Sequence, residues 1–201
     1  MELIMGCLLL LCFYCLSREA AAVSARMSQK KVIVVDCGHG GIDPGMIGID
    51  GLKEKEFNLA IGMKLKKALE DYGYQVVMTR ETDTGLYDED SQNKKAQDMQ
   101  KRILLIQKVD PVLTVSIHQN SYEDPAVKGP QVFYYRDSSK GKALAKILQD
   151  RFDYVLGDQN RRLPKANANY YLLLHVKCPI VIVECGFLSN RKEAALLNSG
   201  E

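Results

Sequence analysis

The sequence predicts an α/β fold, a single domain whose mostly parallel sheet is covered by helices on both faces. Three observations predict it. Apolar, strand-like runs alternate with segments whose apolar residues recur at helical spacing, the order that builds a parallel sheet. The runs at 32–35, 112–117 and 180–183 are apolar enough to be buried on both sides. The 201 residues are 46% hydrophobic and 26% charged, which suits one domain with a real core.

Residues 31–36 form the first strand, and 38–53 a long glycine-rich loop. Phe57, Leu59, Ala60, Ile61, Leu65, Ala68 and Leu69 recur at helical spacing and predict an amphipathic helix over 56–72, ended by Gly73. Residues 75–79 make a short second strand. Residues 88–107 turn apolar at Met99, Ile103, Leu104 and Ile106 and read as the next helix. Asp110-Pro111 closes it and opens the strand that runs to His118. After a loop over 121–130 come a strand over 131–135 and a helix over 138–156, with Ala143, Leu144, Ile147, Leu148 and Phe152 on one face. Residues 157–168 read as a polar, basic loop, 170–175 as a short apolar helix, 179–183 as a strand, and 191–197 as the start of another helix.

The first 25 residues stand apart from the domain at 30–201. Residues 3–16 are apolar but too short for a comfortable membrane span, and small residues permit signal-peptidase cleavage after Ala22 or Ala25. The usual basic start is missing, Glu2 being the one early charge. The segment therefore reads as a signal peptide beginning further upstream or as an uncleaved membrane anchor; a buried amino-terminal helix is the bland alternative. A net charge of +2 gives no electrostatic case for nucleic acid. Of six cysteines, Cys7, Cys12 and Cys15 fall in this leader. Cys37, Cys178 and Cys185 remain; none has zinc-ligand spacing, and all read as buried thiols. Cys37 and Cys185 flank candidate site residues, so an incidental metal contact is the competing reading.

The chemistry lies at strand ends. His39 leaves the first strand between Gly38 and Gly40, His118 ends the run at 112–117, and Glu184 ends the run at 180–183. In open α/β sheets ligands gather at the carboxyl ends of strands. Catalytic zinc commonly takes three protein ligands from His and carboxylate, with a fourth position for water. His39 and His118 fit. Glu54 or Glu56 can supply the third, although either also suits a helix start, where the dipole favours a carboxylate. Glu184 has the character of a general base beside the metal, or else of a buried carboxylate paired with Arg80 or Arg191. His175, near a helix end, reads as non-catalytic.

Five ordered blocks then resemble the zinc-dependent N-acetylmuramoyl-L-alanine amidases. They are His39-Gly40-Gly41 with Asp43-Pro44-Gly45, Gly51-Leu52-Lys53-Glu54-Lys55, Thr79-Arg80 with Asp83, Ser116-Ile117-His118-Gln119-Asn120, and Val183-Glu184-Cys185-Gly186-Phe187-Leu188-Ser189-Asn190. The resemblance implies a twisted sheet, Zn2+ on His39, Glu54 and His118, and Glu184 as the catalytic residue. Substrate-binding residues are not assigned. Val127-Lys128-Gly129, Gln131 to Tyr135, Asn160-Arg161-Arg162, Lys165-Ala166-Asn167 and Tyr170-Tyr171-Leu172-Leu173 look like the spore-cortex, CwlD-type branch of endospore formers. That implies removal of whole stem peptides from peptidoglycan on the way to muramic-δ-lactam, in the envelope space between forespore and mother-cell membranes. It also implies a lipoprotein activator as a partner in some relatives. Arg161, Arg162 and Lys165 meet stem carboxylates or glycan on one reading and lie on a solvated loop on the other. Arg80 and Arg102 orient carboxylates or sit on the surface. Tyr134, Tyr135, Tyr170 and Tyr171 line a glycan groove or simply pack against the sheet. A further family helix is expected beyond Glu201. Another zinc peptidoglycan hydrolase, a peptidase or a deacetylase, and a non-catalytic wall-binding protein are the competing functions.

Overall fold

Runs too apolar to face water on either side belong in a sheet covered twice, and the protein places them there. The computed structural model describes residues 31–157 and 162–199, together with Tyr14, Cys15 and Arg18. Among the described residues six strands form one sheet: β1 (Val32–Cys37), β2 (Gln75–Met78), β3 (Leu113–Asn120), β4 (Gln131–Tyr135), β5 (Lys165–Asn167) and β6 (Ile180–Phe187). Their order is β2-β1-β3-β6-β4-β5. The first four in that order run parallel, whereas β4 is antiparallel to β6 and carries β5 parallel to itself. The helices are α1 (Glu54–Asp71), α2 (Lys94–Val109), α3 (Ser139–Leu156), α4 (Tyr171–His175) and α5 (Arg191–Leu197).

Because strand side chains alternate, β1, β4 and β6 each feed two cores. Val34, Ile180 and Ile182 join Ile103 and Ile106 of α2 and Leu172 and Leu173 of α4 on one face. Val35, Cys37, Val181 and Val183 meet Leu59, Ile61 and Leu65 of α1, and Leu144, Leu148 and Phe152 of α3, on the other. Each such aliphatic side chain contributes about 1.5–3 kcal/mol on full burial. The three strands expected to carry the chemistry, β1, β3 and β6, are consecutive neighbours in the middle of the sheet.

Several boundaries differ from the sequence expectation. Helix α1 starts at Glu54, two residues earlier than the apolar pattern indicates, so Glu54 stands in its first turn. Helix α2 starts at Lys94, where the Asn93 side chain accepts from the Ala96 amide at 3.1 Å; the residues from Asp88 onward form turns instead. In α3 the inward stripe contains Gly141, Ala145 and Gln149, which turns Ile147 outward to 60% exposure and leaves Ala143 exposed. The polar loop over 157–168 contains the edge strand β5, and Arg161 within it lies outside the described residues. Strands β3 and β6 also continue past His118 and Glu184, so both residues lie within strands.

The chain divides into the units Met1–Lys31 and Val32–Glu201. In the first, Tyr14, Cys15 and Arg18 are helical, and the remainder of the expected leader, with Cys7 and Cys12, lies outside the described residues. Among the described residues no helix is long and apolar enough to cross a membrane.

A buried ion pair ties α2 to the end of β1. Arg102, 1% exposed, donates from Nη1 to Asp36 Oδ1 at 2.7 Å and from Nε to Asp98 Oδ2 at 2.6 Å. Asp36 also accepts from Ser116 Oγ at 2.5 Å and Thr79 Oγ1 at 2.8 Å. Burial alone would raise the Asp36 pKa, but the Arg102 charge, the Ser116 hydroxyl and nearby His118 together hold it below the usual carboxylate range. Arg102→Met strands a buried carboxylate and should lower unfolding free energy by about 3–5 kcal/mol, read by urea denaturation. A loss below about 1 kcal/mol would show that the pair is dispensable. Since the folded pKa of Asp36 is depressed, its stabilisation is complete above its unfolded value, about 4, and is lost as pH falls through the folded value. Asp36→Asn should therefore flatten the acid limb of the stability profile below about pH 4.

Candidate metal centre

The turn after β1 is built to expose one imidazole. His39 adopts a left-handed backbone, φ 62°, and is followed by Gly40 and Gly41 at φ 134° and 56°. Two buried arginines hold this turn by its carbonyls. Arg102 donates to the carbonyls of Cys37 and His39, both at 2.7 Å. Arg80 donates to those of Cys37 at 3.0 Å, Gly38 at 3.2 Å and Lys55 at 2.7 Å. The His39 ring is then steered from its own loop: Nδ1 lies 2.8 Å from Asp43 Oδ2, and Lys95 Nζ lies 2.8 Å from the other Asp43 oxygen. A carboxylate only accepts, so His39 Nδ1 carries the hydrogen and Nε2 faces Glu54 Oε2 at 3.2 Å.

Glu54 is the hub. It is 2% exposed and accepts from the Met46 amide at 2.8 Å, the Gln119 amide at 3.1 Å and Asn58 Nδ2 at 3.1 Å. His118 Nδ1 lies 2.9 Å from its Oε1. Burial would raise the Glu54 pKa, but hydrogen bonds and charge from His118 and His39 pull it far down. His39 moves upward, because contacts with Glu54 and Asp43 outweigh burial, which lowers it.

His39, Glu54 and His118 each offer a ligand atom within 4.8 Å of the others, and the two rings meet edge to face at 5.0 Å. No other group of three such side chains with this spacing occurs among the described residues. Two imidazole nitrogens and one carboxylate oxygen, open on one side to a cavity of about 550 Å³, match a catalytic metal site with three protein ligands. Space has been kept for this cluster. A Cβ at Gly45 would stand 2.5 Å from Glu54 Oε2 and 2.7 Å from His39 Cδ2, and one at Gly38 would overlap the His118 ring.

Glu184 completes the cavity wall. It pairs in register with His118 across β3 and β6, just before a bulge that sets Gln119 of β3 against Cys185 and Gly186 of β6. It is 8% exposed, and its Oε2 has no hydrogen-bond partner among the described residues. Burial pushes its pKa up; His118 and His39 partly oppose this, and Glu54 adds to it. Arg80 is spent on carbonyls and Arg191 sits 3.9 Å from Asp50, so the reading of Glu184 as an arginine-paired carboxylate does not hold.

The other candidates fall away. Glu56 is exposed beside Lys53, at 3.9 Å. His175 places Nδ1 2.8 Å from the Tyr171 carbonyl. Burial pushes the Cys37 and Cys185 thiols up to about 12, and neither joins the ligand group. Tyr134 is in the core, whereas Tyr170 and Tyr171 line the cavity. Sequence reasoning gave no role to Asp43, Asn58 or Lys95. Asp43 alone left a signal, as a loop carboxylate four residues after His39.

Residues 33–201 match the model of the Amidase_3 family, N-acetylmuramoyl-L-alanine amidase. The chain is 36% identical over 170 residues to the germination-specific N-acetylmuramoyl-L-alanine amidase of Bacillus subtilis, covering 83% of this chain and 71% of that protein. The CwlD amidase of Clostridioides difficile, solved in complex with the GerS lipoprotein, superposes with a TM-score of 0.82 at 39% identity, covering 85% of this chain and 89% of that one. The amidase AmiC2 of Nostoc punctiforme gives a TM-score of 0.73 at 33% identity, covering 86% and 88%.

Asp43 fixes the tautomer and angle of His39 without belonging to the ligand group. Asp43→Ala should weaken divalent-metal affinity about 10–100-fold, read by competing Zn2+ against a chromophoric chelator, with folding retained. Unchanged affinity would remove Asp43 from the site.

Proposed function

This chain belongs to the N-acetylmuramoyl-L-alanine amidase family, and from that premise we propose a zinc-dependent hydrolysis of the amide joining the muramoyl lactyl group to the L-alanine of peptidoglycan stem peptides. His39, Glu54 and His118 hold the ion, and the two-nitrogen, one-carboxylate donor set supports zinc. Bound there, zinc supplies Lewis acidity toward the lactyl carbonyl and makes water more acidic.

The observation that carries the reading is Glu184, a buried carboxylate with one oxygen unpartnered among the described residues, on the wall of the same cavity. Its carboxylate takes a proton from the attacking water as the C–O bond forms. It returns that proton to the alanine nitrogen as the C–N bond breaks, so one residue serves as base and then acid. Asp43 and the Arg102 clamp keep His39 fixed through the cycle, and the burial of Glu54 keeps water from competing for its oxygens.

The likeness to the germination-specific relative supports a role in the spore cortex, with export to the space between forespore and mother-cell membranes. The structure of CwlD with GerS supports a lipoprotein partner for this chain as well. The leader, read as a signal peptide or membrane anchor, is consistent with that location.

Glu184→Gln should retain the metal and lose about 10²–10⁴-fold in turnover of cortex muropeptides. Mass spectrometry of the products distinguishes the activities, because an amidase frees intact stems with an alanine amino terminus. Turnover at the parent rate would remove Glu184 from the mechanism, and cleavage within the stem would replace the amidase reading by a peptidase.

A further inference from the structure

A second cavity, of about 510 Å³, adjoins the first, and Asn120 and Tyr170 line both. The two differ in charge. The metal cavity is lined by Asp36, Asp43, Glu54, Asp98 and Glu184 against two cations, whereas the described lining of the second has Arg162 and Lys165 and no carboxylate. Its apolar surface comes from Phe133 of β4 and Phe187 of β6.

The cations are placed by the fold. The Arg162 guanidinium lies 4.6 Å from the Phe187 ring centroid and donates from Nε to the Lys128 carbonyl at 2.8 Å and from Nη1 to Gln131 Oε1 at 3.0 Å. Lys165 leads β5, which pairs with β4 at Phe133, and its Nζ lies 5.8 Å from the Phe133 ring. A flexible surface lysine and arginine would lose conformational entropy on meeting an anion. A stacked and hydrogen-bonded guanidinium has already lost it.

We propose that this second cavity is the stem-peptide subsite, where Arg162 and Lys165 receive the carboxylate of the acidic residue that follows the scissile L-alanine. This rests on the amidase reading and adds a direction to it. The peptide half of the substrate leaves the metal toward β4 and β5, past Tyr170 and Asn120, and the lactyl half approaches from the other side of the metal. The charge pattern favours this orientation, because the stem is the anionic half of the substrate and the described lining of the second cavity offers it two cations and no carboxylate, whereas the cations of the metal cavity are already paired with Asp36, Asp43 and Asp98.

The test uses matched muramoyl-L-alanyl substrates whose next residue is D-glutamate with a free α-carboxylate or its α-amide. The wild-type protein should prefer the carboxylate about tenfold in kcat/KM. Lys165→Glu, at an exposed position, should abolish that preference by slowing the carboxylate substrate alone, and Lys165→Arg should keep it. An equal effect of Lys165→Glu on both substrates, or no effect on either, overturns the subsite while cleavage by the wild type leaves the amidase standing. Cleavage of neither substrate by the wild type overturns both.

Discussion

One desolvated carboxylate organises this protein. Glu54 begins α1, yet its oxygens are bound by the loop after β1 through Met46, by β3 through the Gln119 amide, and by imidazoles from both. An anion at 2% exposure persists only when surrounding donors outweigh the loss of water. With Asn58 of α1 itself, the donors come from three separate parts of the chain, so stability and site geometry are the same requirement. Assembling the carboxylate's partners assembles the group of His39, Glu54 and His118 proposed to hold the metal.

A second buried ion pair supports the first from behind. Asp36 and Arg102 lie across the end of β1, and Arg102 reaches past Asp36 to the carbonyls flanking the His39 turn. The left-handed conformation at His39 costs free energy for a residue with a Cβ. The clamp offsets that cost with charge-assisted hydrogen bonds shielded from water. Asp43 and Lys95 then set the ring from the solvent side. Backbone and side chain of the same ligand are thus fixed independently, as a site needing a few tenths of an ångström in tolerance requires.

Much of this was legible in the chain, for identifiable reasons. The doubly buried strands are continuous apolar runs, and a His or Glu following such a run has to lie near a sheet end. His39, His118 and Glu184 were found that way. Glu54 was harder, because Lys53-Glu54-Lys55 is polar and the apolar stripe of α1 begins only at Phe57, so spacing alone left Glu56 open. The family resemblance favoured Glu54, and the first helical turn places it inward. Strand β5 was hidden because a three-residue polar edge strand has no alternation to detect. Ile147 was misplaced because α3 carries apolar residues on two adjacent faces, and only the packing against β4 selects one. Arg102 was left between two roles, since a lone arginine in an amphipathic helix does not disclose a buried aspartate 66 residues away.

The central claim is that these three side chains, and no thiol, form the metal's protein ligands. X-ray absorption spectroscopy of the zinc-loaded protein tests it most directly. One zinc per chain with only nitrogen and oxygen neighbours at about 2.0–2.2 Å is the result expected from His39, Glu54 and His118. A sulfur neighbour at about 2.3 Å would bring Cys37 or Cys185 into the shell and contradict the site as described.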